Sequence, residues 1–448
     1  MNFMEKFWTE NKKRLKEIIK NKRQKHIKRE IFGVLNEYLL DNKNISPFRV
    51  LKGLRRIGKT TILHQLISSL SRENKDNLKK TFYYSLEWLK YDNIGPQDFV
   101  LMIKEKISQN KINYLFLDEV QALNDWEIWF KVLYDDFCDA QKKNIKIIAT
   151  GSSCLQLNNK ETGPGRFIFN NIWPWTFNEY KKLVKKINFK KKINFHDYLS
   201  FGQFPEILLK KNKKENVFYL KHNVLNETVK DLKKTFKLEI SNEKILQSIY
   251  FLIATTNNEI NKNRMLNHLN LNFRTLNKIL EGLVAANLFY KVERLNEKLV
   301  NSRKRTKIYK YFVASPNLVC AYLEQSFDDI VKNEENFVYI GSITETLFLQ
   351  TIFNFNSTIN ENVFYAKNSS NDEEIDFVVK NIASKTTLYE IKYVNILQKN
   401  KINNFFLDYD SKNVEKILIV KNEPLFSMKK ILKTKNIKFF LLEKFQKN

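Results

Sequence analysis

The sequence predicts an α/β fold organised around a parallel β-sheet, and three segments carry this prediction. Each is a short apolar run that ends in a polar motif: residues 48–51 lead into a glycine-containing loop, residues 114–117 into two acidic residues, and residues 146–150 into a Gly-Ser pair. Continuous apolar runs of this length are typical of strands buried on both faces, as in parallel sheets. Helical periodicity follows the first run at 62–70, as expected for a strand–loop–helix unit.

The loop after the first run is a complete phosphate-binding motif. Gly53 is followed by four residues and then by Gly58, Lys59 and Thr60, which is the Walker A spacing. The glycines permit the tight turn that directs backbone N–H groups at phosphate oxygens. Lys59 is expected to reach the β- and γ-phosphates, and Thr60 to complete a Mg²⁺ shell. A lysine-rich turn is the structural alternative, but the chain has only 10 glycines among 448 residues. We therefore expect ATP and Mg²⁺ as cofactors, with further nucleotide contacts from the rest of the loop: Arg55, Arg56 and Thr61.

The acidic pair that ends the second run suits a Walker B motif. At the carboxyl end of a strand, Asp118 would hold the Mg²⁺ shell beside Thr60, and Glu119 would polarise the attacking water. Acid pairs also occur in solvated turns, and the upstream phosphate loop is what favours the catalytic interpretation. After the third run, Ser152 or Ser153 is a candidate sensor of the γ-phosphate, and a plain turn is an equal alternative.

ATP hydrolysis also needs a fixed cation to neutralise the charge that develops on the γ-phosphate. Arg166, which precedes the apolar run at 167–170, is the first candidate, acting in its own subunit or in a neighbour's within a homo-oligomer. A structural ion pair with a carboxylate is the alternative role for Arg166. Arg55 and Arg56, inside the loop itself, are further candidates.

Composition favours a polyanionic partner and an intracellular location. The chain has 77 Lys and Arg against 49 Asp and Glu, a formal net charge of +28, which makes DNA the expected partner. Lys and Asn are abundant throughout, however, as an AT-rich genome would dictate, so charge alone does not decide this. The three cysteines form no C-x-x-C pair and the five histidines no metal-ligand pattern, which indicates reduced thiols. No run approaches ~18 apolar residues and none suits a signal peptide. We therefore expect a soluble cytoplasmic protein without membrane association.

Two basic regions are candidates for DNA contact. Residues 1–44 are predicted to form amphipathic helices that are either solvated or a DNA-contacting arm. From residue 261, a helix, a second helix capped by Asn272 and two strands predict a winged helix. Phe273 is placed on the apolar face of the second helix, and a winged helix that only spaces protein domains is the alternative. The predicted DNA-binding residues of this helix and of the wing are Arg274, Asn277, Lys278, Arg303, Lys304, Arg305 and Lys307.

The last quarter of the chain carries a second group of acidic residues. A predicted helix over 341–353 bears Glu345, and two predicted strands bear Asp376 and the pair Glu390 and Lys392. Strand alternation places Glu390 and Lys392 on one face. It likewise turns Asp376 away from three inward-facing neighbours, Ile375, Phe377 and Val379.

This ordered set resembles the PD-(D/E)xK nuclease core. By that resemblance Asp376 and Glu390 would bind Mg²⁺ together with the Ile391 carbonyl, Lys392 would assist the attacking water, and Glu345 would complete the site. Active cleavage and a retained fold that only binds DNA both stay open.

The motifs also occur in the order found in a prokaryotic AAA+ ATPase family, whose members are similar to archaeal STAND-type ATPases and carry a C-terminal domain of restriction-endonuclease type. The motifs that carry this resemblance are GLRRIGKTT (53–61), YLFLDEVQ (114–121), IIATGSS (147–153), the Gly-Arg pair (165–166) with WPWTFNEY (173–180), and FGQFPE (201–206). The expected architecture is N-terminal basic helices (1–44), a P-loop ATPase core (45–190), a helical lid or connector (191–260), a winged helix (261–335) and a small α/β nuclease-like domain (336–448).

The resulting prediction is an ATP-hydrolysing, DNA-associated ATPase whose C-terminal domain either cuts or grips DNA. One alternative is a regulatory switch in which the nucleotide controls partner binding and the nuclease fold is silent. The other is an ATPase that remodels a protein partner and is basic only through genome composition.

Overall fold

A computed structural model of the protein forms two compact units, Met1–Ile172 with Lys185–Phe189, and Trp173–Val184 with Lys190–Asn448. The residues that the structure describes are 3–21, 27–41, 47–90, 92, 94–108, 113–123, 126–139, 145–152, 165–187, 192–209, 212–256, 258–296, 306–355, 362–368, 370, 372–380, 386–409 and 414–445.

The first unit is built on a five-stranded, fully parallel sheet with the order β2-β3-β4-β1-β5. Its strands are β1 (Phe48–Gly53), β2 (Thr81–Ser85), β3 (Tyr114–Asp118), β4 (Lys146–Ser152) and β5 (Phe167–Ile172). Every residue of β2 and β3 is buried, as parallel strands covered on both faces require. The predicted α/β fold with a parallel P-loop sheet is confirmed, and β4 lies between the strand of the phosphate loop and the strand of the acidic pair.

The α-helices of this unit, among the described residues, are α1 (Phe3–Lys20), α2 (Ile31–Leu40), α3 (Lys59–Glu73), α4 (Lys75–Lys79), α5 (Pro96–Ser108) and α6 (Trp126–Tyr134). Helix α1 packs on α3 and β2 through Leu15 and Ile18, which are buried. The buried Asn11 side chain accepts a hydrogen bond of 3.2 Å from the Tyr83 amide. The N-terminal helices are therefore part of the first unit, and the buried face of α1 belongs to its core.

The second unit contains the remaining α-helices of the described residues, except that the last three residues of the first of these helices, 185–187, belong to the first unit. They are α7 (Phe177–Ile187), α8 (Phe195–Phe201), α9 (Lys213–Tyr219), α10 (Glu227–Thr235), α11 (Asn242–Ala254), α12 (Lys262–Leu269), α13 (Phe273–Ala285), α14 (Pro316–Leu323), α15 (Phe327–Lys332), α16 (Val338–Phe355), α17 (Asn404–Asp408), α18 (Phe426–Thr434) and α19 (Leu442–Phe445). The segment predicted as a connector is helical over α8 to α11. The Asn272 side chain caps α13 by accepting from the Thr275 amide at 2.8 Å, as predicted.

One seven-stranded sheet, in the order β12-β11-β10-β9-β8-β6-β7, organises the second unit. Its strands are β6 (Phe289–Asn296), β7 (Tyr309–Val313), β8 (Val363–Lys367), β9 (Glu374–Lys380), β10 (Thr386–Lys392), β11 (Val414–Val420) and β12 (Ile437–Leu441). The β6–β7 hairpin was assigned to a separate domain ending near residue 335, yet β6 pairs in parallel with β8. The hairpin and the C-terminal strands therefore share one sheet.

The FGQFPE motif lies at a buried polar network in this second unit. The Gln203 side chain has 0% exposure. Its Nε2 donates to the Tyr198 hydroxyl and to the side-chain Oε1 of Gln350. The side-chain Oε1 of Gln203 accepts from the Ser315 hydroxyl, and the backbone amide of Gln203 donates to the Asn317 Oδ1. One side chain thus joins α8, α14 and α16. The FGQFPE motif is therefore explained by a structural role in this network and not by a catalytic one.

The expectations about membrane-spanning segments and about the cysteine thiols can be compared with the described residues. No helix in the described ranges is both long and apolar enough to cross a bilayer. Cys320 is a free thiol buried in the second unit, and burial raises its pKa, as expected for an unreactive reduced cysteine. Cys154 lies outside the described residues.

Candidate functional site

The phosphate loop connects the end of β1 to the start of α3 in the predicted manner. Gly58 is the N-cap of α3 with φ of +99°, a conformation that side chains rarely adopt, and a Cβ added there would meet nothing within 4 Å. A Cβ added at Gly53 would lie 2.2 Å from the Ile172 carbonyl oxygen, so only glycine fits beside β5. The first glycine therefore permits close packing, whereas the second leaves the concave side of the turn open for a ligand.

Lys59 places a buried ammonium group inside this loop. Its Nζ donates to the carbonyl oxygens of Gly53 at 2.9 Å and Leu54 at 2.8 Å. A buried lysine next to the positive end of a helix favours a bound anion, because both partial charges attract it. This arrangement fits a nucleotide phosphate. Thr60 follows as a partly buried residue, while Thr61 is exposed on α3.

Asp118 ends β3 and is held by two hydroxyl groups. Its Oδ1 accepts from Thr150 on the neighbouring strand β4, and its Oδ2 accepts from Tyr83 at 3.3 Å. Burial, and then the charge of Asp118, raises the pKa of Tyr83, which keeps its hydroxyl protonated as a donor. Asp118 is thus a buried, oriented carboxylate, suitable as an outer ligand of a Mg²⁺ shell.

Glu119 adopts an uncommon backbone conformation, with φ of 55° and ψ of 53°. For a non-glycine residue this left-handed region costs of order 1–3 kcal/mol and is found preferentially at functional sites. The Glu119 amide donates to the Thr150 hydroxyl oxygen at 3.2 Å, and its carboxylate accepts from the Gln121 side chain. Thr150 therefore holds both acidic residues of the motif through one hydroxyl.

Thr150 is one residue of this site that the sequence did not identify, and Tyr83 is another. The sequence pointed to Ser152 or Ser153 at the end of the third strand. The backbone of Ser152 pairs with Gly53, so this strand does end beside the loop, while Ser153 lies outside the described residues. Thr150 is fully buried and two positions earlier, and no local pattern distinguishes it from a core threonine.

Arg166 lies at the opposite end of the sheet from the phosphate loop. Its carbonyl accepts from the Phe48 amide, where β1 begins, and the loop leaves β1 five residues later, roughly 17 Å away. The Arg166 guanidinium binds the Asp135 carboxylate, with Nε 2.8 Å from Oδ1. The prediction that Arg166 neutralises charge on the phosphates of its own chain is therefore wrong, because the residue precedes its strand rather than following it. A role on a neighbouring subunit's nucleotide stays a prediction.

Within the loop, Arg56 is exposed and has φ of 67°, whereas Arg55 is partly buried. A buried arginine upstream of β1 also contacts the loop: Arg29 Nη1 donates to the Ile57 carbonyl oxygen at 3.3 Å. The segment between α1 and α2 thus supports the phosphate loop from outside, which sequence periodicity did not indicate. Roles of Arg55 and Arg56 at the nucleotide stay predictions.

The predicted DNA-contacting residues lie on α13 and at the β6–β7 hairpin. Arg274 is exposed in the first turn of α13, and Lys278 is partly exposed. Asn277 is already engaged, because its side-chain oxygen accepts from Lys262 Nζ at 2.9 Å. Lys307 is exposed and its amide donates to Glu293 at 3.0 Å. Arg303, Lys304 and Arg305 lie outside the described residues.

Phe273 departs from the predicted apolar face of α13. It is 57% exposed, with Lys262 Nζ 5.3 Å from its ring centroid, while Leu276, Ile279 and Leu283 are buried as predicted. At the first position of a helix, a side chain lies beyond the end of the packing interface. An aromatic side chain and Arg274 are therefore exposed side by side.

The predicted acidic cluster of the C-terminal region meets around β9 and β10. Glu390 is completely buried, and its Oε1 accepts from Lys392 Nζ at 2.7 Å and from the Asn403 amide at 3.0 Å. Asp376 Oδ2 accepts from the Ile391 amide at 2.7 Å. Participation of the Ile391 carbonyl in metal binding stays a prediction.

The pKa values in this cluster reflect mutual repulsion and burial. Burial, followed by the charge of Asp376, raises the pKa of Glu390 to about 8. The same two causes raise the pKa of Glu345, on α16, well above its ordinary value. Burial alone would lower the pKa of Lys392, but the charges of Asp376 and Glu390 outweigh it and raise the pKa. Two carboxyl groups with raised pKa values around Asp376 indicate a site that attracts a cation.

A β-bulge corrects the predicted alternation in β9. The register between β8 and β9 shifts between Phe364 and Ala366, so that residues 376 and 377 both lie opposite Tyr365. Consequently Ile375 shares a core cluster with Val378, whereas strict alternation would have placed it with Phe377. Ile375, Phe377 and Val379 are all buried, as predicted, but the prediction that they share one face is wrong for this reason. Bulges of this kind often re-aim a side chain next to a site, here Asp376.

No three His, Cys, Asp or Glu groups among the described residues converge closely enough to form a ready-made metal cage. A Mg²⁺ ion commonly needs only one or two carboxylates and takes its other ligands from water and substrate phosphates. The second oxygen of Glu390, Oε2, is buried and has no hydrogen-bond partner among the described residues. A buried carboxylate oxygen in this state fits a metal ligand, since it otherwise carries a desolvation cost of about 1–3 kcal/mol.

Comparison with known proteins adds family information for two segments. Residues 46–181 match the model of an AAA domain, and residues 192–329 match a domain of unknown function (DUF8612). The uncharacterized protein MJ1544 of Methanocaldococcus jannaschii is 26% identical over 432 residues, which span 87% of each chain. The uncharacterized protein MJ1637 of the same organism is 27% identical over 328 residues, which are 65% of this chain and 66% of that protein, just under two thirds of its length.

Among solved structures, the Aeropyrum pernix ORC1 protein in complex with DNA is similar at a TM-score of 0.35 and 11% identity, covering 70% of this chain and 97% of that one. The family match over 46–181 includes β1 with its phosphate loop, β3 with its acidic pair, and β4 with Thr150. Residues 46–181 are therefore similar to an AAA domain, and this segment carries the phosphate loop on the five-stranded parallel sheet.

Proposed function

We propose that the protein is an ATP-hydrolysing enzyme that acts on DNA, in which the first unit turns over ATP and the second unit engages DNA and cleaves it. The observation that carries the proposal is the joint geometry of the phosphate loop and the acidic pair. Lys59 is buried inside a glycine-framed loop, while Thr150 on the adjacent strand β4 holds Asp118 and Glu119 at the end of β3. Each position in this arrangement matches a function needed for phosphoryl transfer.

The hydrolytic roles follow from these positions. Lys59 binds the β- and γ-phosphates in place of the loop carbonyls that it contacts here. Mg²⁺, when bound, would neutralise charge between the two phosphates, and Thr60 and Asp118 would hold its shell. Glu119 accepts the proton of the attacking water or orients that water, which requires its carboxylate to leave the Gln121 amide.

The sheet of the second unit supports a single DNA-binding edge. Strand β6 ends at Asn296, which lies opposite Lys367 at the end of β8. Lys367 lies opposite Glu374 at the start of β9, and β10 ends at Lys392 at the same edge of the sheet. Lys307, two residues before β7 begins, belongs to this edge. Three strand spacings separate β6 from β10, roughly 14 Å, which equals about four base-pair steps along the axis of a DNA duplex. One duplex can therefore contact both the hairpin and the acidic cluster.

Helix α13 is the proposed recognition helix of a winged helix. It presents Arg274 and Phe273 to solvent from its first turn, and Asn272 fixes that turn through its cap. The N-terminal part of a recognition helix is the part that meets base edges in the major groove. The hairpin β6–β7 would act as the wing, with Lys307 contacting phosphate.

The acidic cluster of the second unit is the proposed Mg²⁺-dependent cleavage site. A cavity of about 650 Å³ opens beside it, lined by Lys392, Lys399, Lys401 and Asn403 among others. Lysines and amide groups around a carboxylate suit a DNA phosphate next to a metal ion. A regulatory switch with a silent nuclease fold is the second candidate, and the absence of three convergent metal ligands among the described residues favours it.

The test is cleavage of linear, branched and single-stranded DNA in Mg²⁺, with and without ATP. The proposal expects Glu390→Ala and Lys392→Ala to abolish cleavage while ATP hydrolysis is retained. Glu423→Ala and Lys429→Ala, which break an exposed ion pair in the same unit, are the matched controls and should cleave normally. If wild-type protein binds DNA but cuts no form of it, the switch is the better account.

A further inference from the structure

The buried carboxylate of Glu390 is asymmetric. Its Oε1 accepts two hydrogen bonds, from Lys392 and from Asn403, whereas its Oε2 accepts none among the described residues although it is equally inaccessible to water. The terminal torsion of a glutamate side chain has no strong preference of its own, so the contacts of the two carboxylate oxygens determine the orientation of the group. The two donors on one oxygen therefore determine where the other oxygen points.

Asn403 is itself held by three contacts. Its Oδ1 accepts from the Phe406 amide at 2.7 Å and caps α17, and its Nδ2 donates to the Glu374 carbonyl oxygen as well as to Glu390. Because Oδ1 is the acceptor of a backbone N–H, the side-chain nitrogen must face Glu390. The Asn403 side chain thus joins the start of α17, the start of β9 and the buried carboxylate of β10.

The loop that carries Asn403 is fixed on its other side by Glu373. The two oxygens of Glu373 accept from the amides of Asn404 and Phe405, at 3.1 Å and 2.9 Å. Lys399 and Lys401 stand on this loop and line the cavity with Lys392. The backbone of this loop is therefore fixed where the loop meets the acidic cluster. On the solvent side, the loop presents exposed lysines.

We propose that Asn403 is a positioning residue of the cleavage site: it fixes Glu390 so that Oε2 is presented to a divalent cation, and its loop places Lys399 and Lys401 against the phosphate of the DNA strand that the cation contacts. This inference rests on the proposed cleavage function. A ligand-orienting hydrogen bond of this kind commonly changes metal affinity by 10–100-fold. Asn403 acts through Glu390 and does not itself touch the metal.

The test separates the two roles of Asn403. Asn403→Ser keeps a good helix cap for α17 and removes the donor to Glu390. Asn403→Asp keeps the cap and turns an oxygen toward Glu390 instead. Asn400→Ser alters a neighbouring cavity residue that is not among the donors to Glu390, and is the matched control. Thermal melting shows that each variant is folded.

The readout is Mn²⁺ binding without nucleotide or DNA, followed by electron paramagnetic resonance, together with the Mg²⁺ concentration at half-maximal cleavage. Asn403→Ser should weaken Mn²⁺ binding at the Glu390-dependent site about tenfold and raise the Mg²⁺ requirement by the same factor. Asn403→Asp should weaken both further, and Asn400→Ser should change neither. If Asn403→Ser binds Mn²⁺ at the Glu390-dependent site as tightly as wild type does, this inference alone is overturned. A wild type whose Mn²⁺ binding is unchanged by Glu390→Ala overturns both the inference and the proposed cleavage site.

Discussion

Replacing Thr150 with valine removes the one hydroxyl that holds both acidic residues of the ATPase site. Valine has nearly the same volume as threonine, so at this fully buried position no cavity forms. Asp118 loses the donor to its Oδ1, and the amide of Glu119 loses its acceptor. Each unsatisfied buried group costs of order 1 kcal/mol or more, so we expect the free energy of unfolding to fall by about 2 kcal/mol.

The effect on catalysis should exceed the effect on binding. Glu119 is held in a left-handed conformation, and its contact with Thr150 is one of the bonds that maintain it. If the transition state loses about 2 kcal/mol of stabilisation because Glu119 is less well positioned, kcat falls roughly 30-fold. ATP affinity should change little, because Lys59 is positioned by the loop and not by β4.

The assay is steady-state phosphate release at saturating ATP, paired with equilibrium binding of ATP to the same preparations. Thr150→Ser keeps the hydroxyl and is the matched control, which should retain activity within about threefold. Tyr83→Phe removes only the contact to Asp118 Oδ2, so it should have a smaller effect. A Thr150→Val protein that hydrolyses ATP at the wild-type rate would refute the role assigned to this residue.

Three further predictions concern the second unit. Gln203→Leu leaves Ser315 and other buried partners without their hydrogen bonds, so the free energy of unfolding in urea should fall by about 3 kcal/mol, and an unchanged midpoint would contradict the network. Arg274→Ala should weaken DNA binding and reduce the salt dependence of log K by about one unit, whereas Lys438→Ala, an exposed lysine on β12, should alter neither in a fluorescence anisotropy titration. Phe273→Ala should leave thermal stability within ~0.5 kcal/mol, since the side chain is 57% exposed; a larger loss would mean that it packs as first predicted.

The sequence was sufficient for features that depend on neighbouring residues. The phosphate loop requires a glycine with positive φ at Gly58 and a helix immediately after it, and these are adjacent in the chain. The cap at Asn272 is equally local, since the residue bonds to an amide three positions ahead. Such features follow from backbone geometry that a short segment fixes by itself.

Features that depend on strand order and register were not predictable in this way. Arg166 was predicted to supply the fixed cation and to precede the apolar run at 167–170, but only the parallel pairing of β5 with β1 shows that this position lies at the far end of the sheet from the phosphate loop. Ile375 and Phe377 do not share a face, because of a bulge opposite Tyr365 that strict alternation cannot show. Thr150 and Asn403 contact their partners across 32 and 13 residues of chain, so no local motif marks them.

Binding and turnover of ATP by three proteins test the central claim most directly: wild type, Lys59→Ala and Glu119→Gln, compared by calorimetry and phosphate release with Mg²⁺. The geometry of the loop predicts that wild type binds and hydrolyses ATP, and that Lys59→Ala loses binding. Glu119→Gln should bind ATP normally and hydrolyse it at least ~100-fold more slowly. Absence of ATP binding by wild type, or wild-type turnover by Glu119→Gln, would contradict the assignment of the first unit as an ATPase.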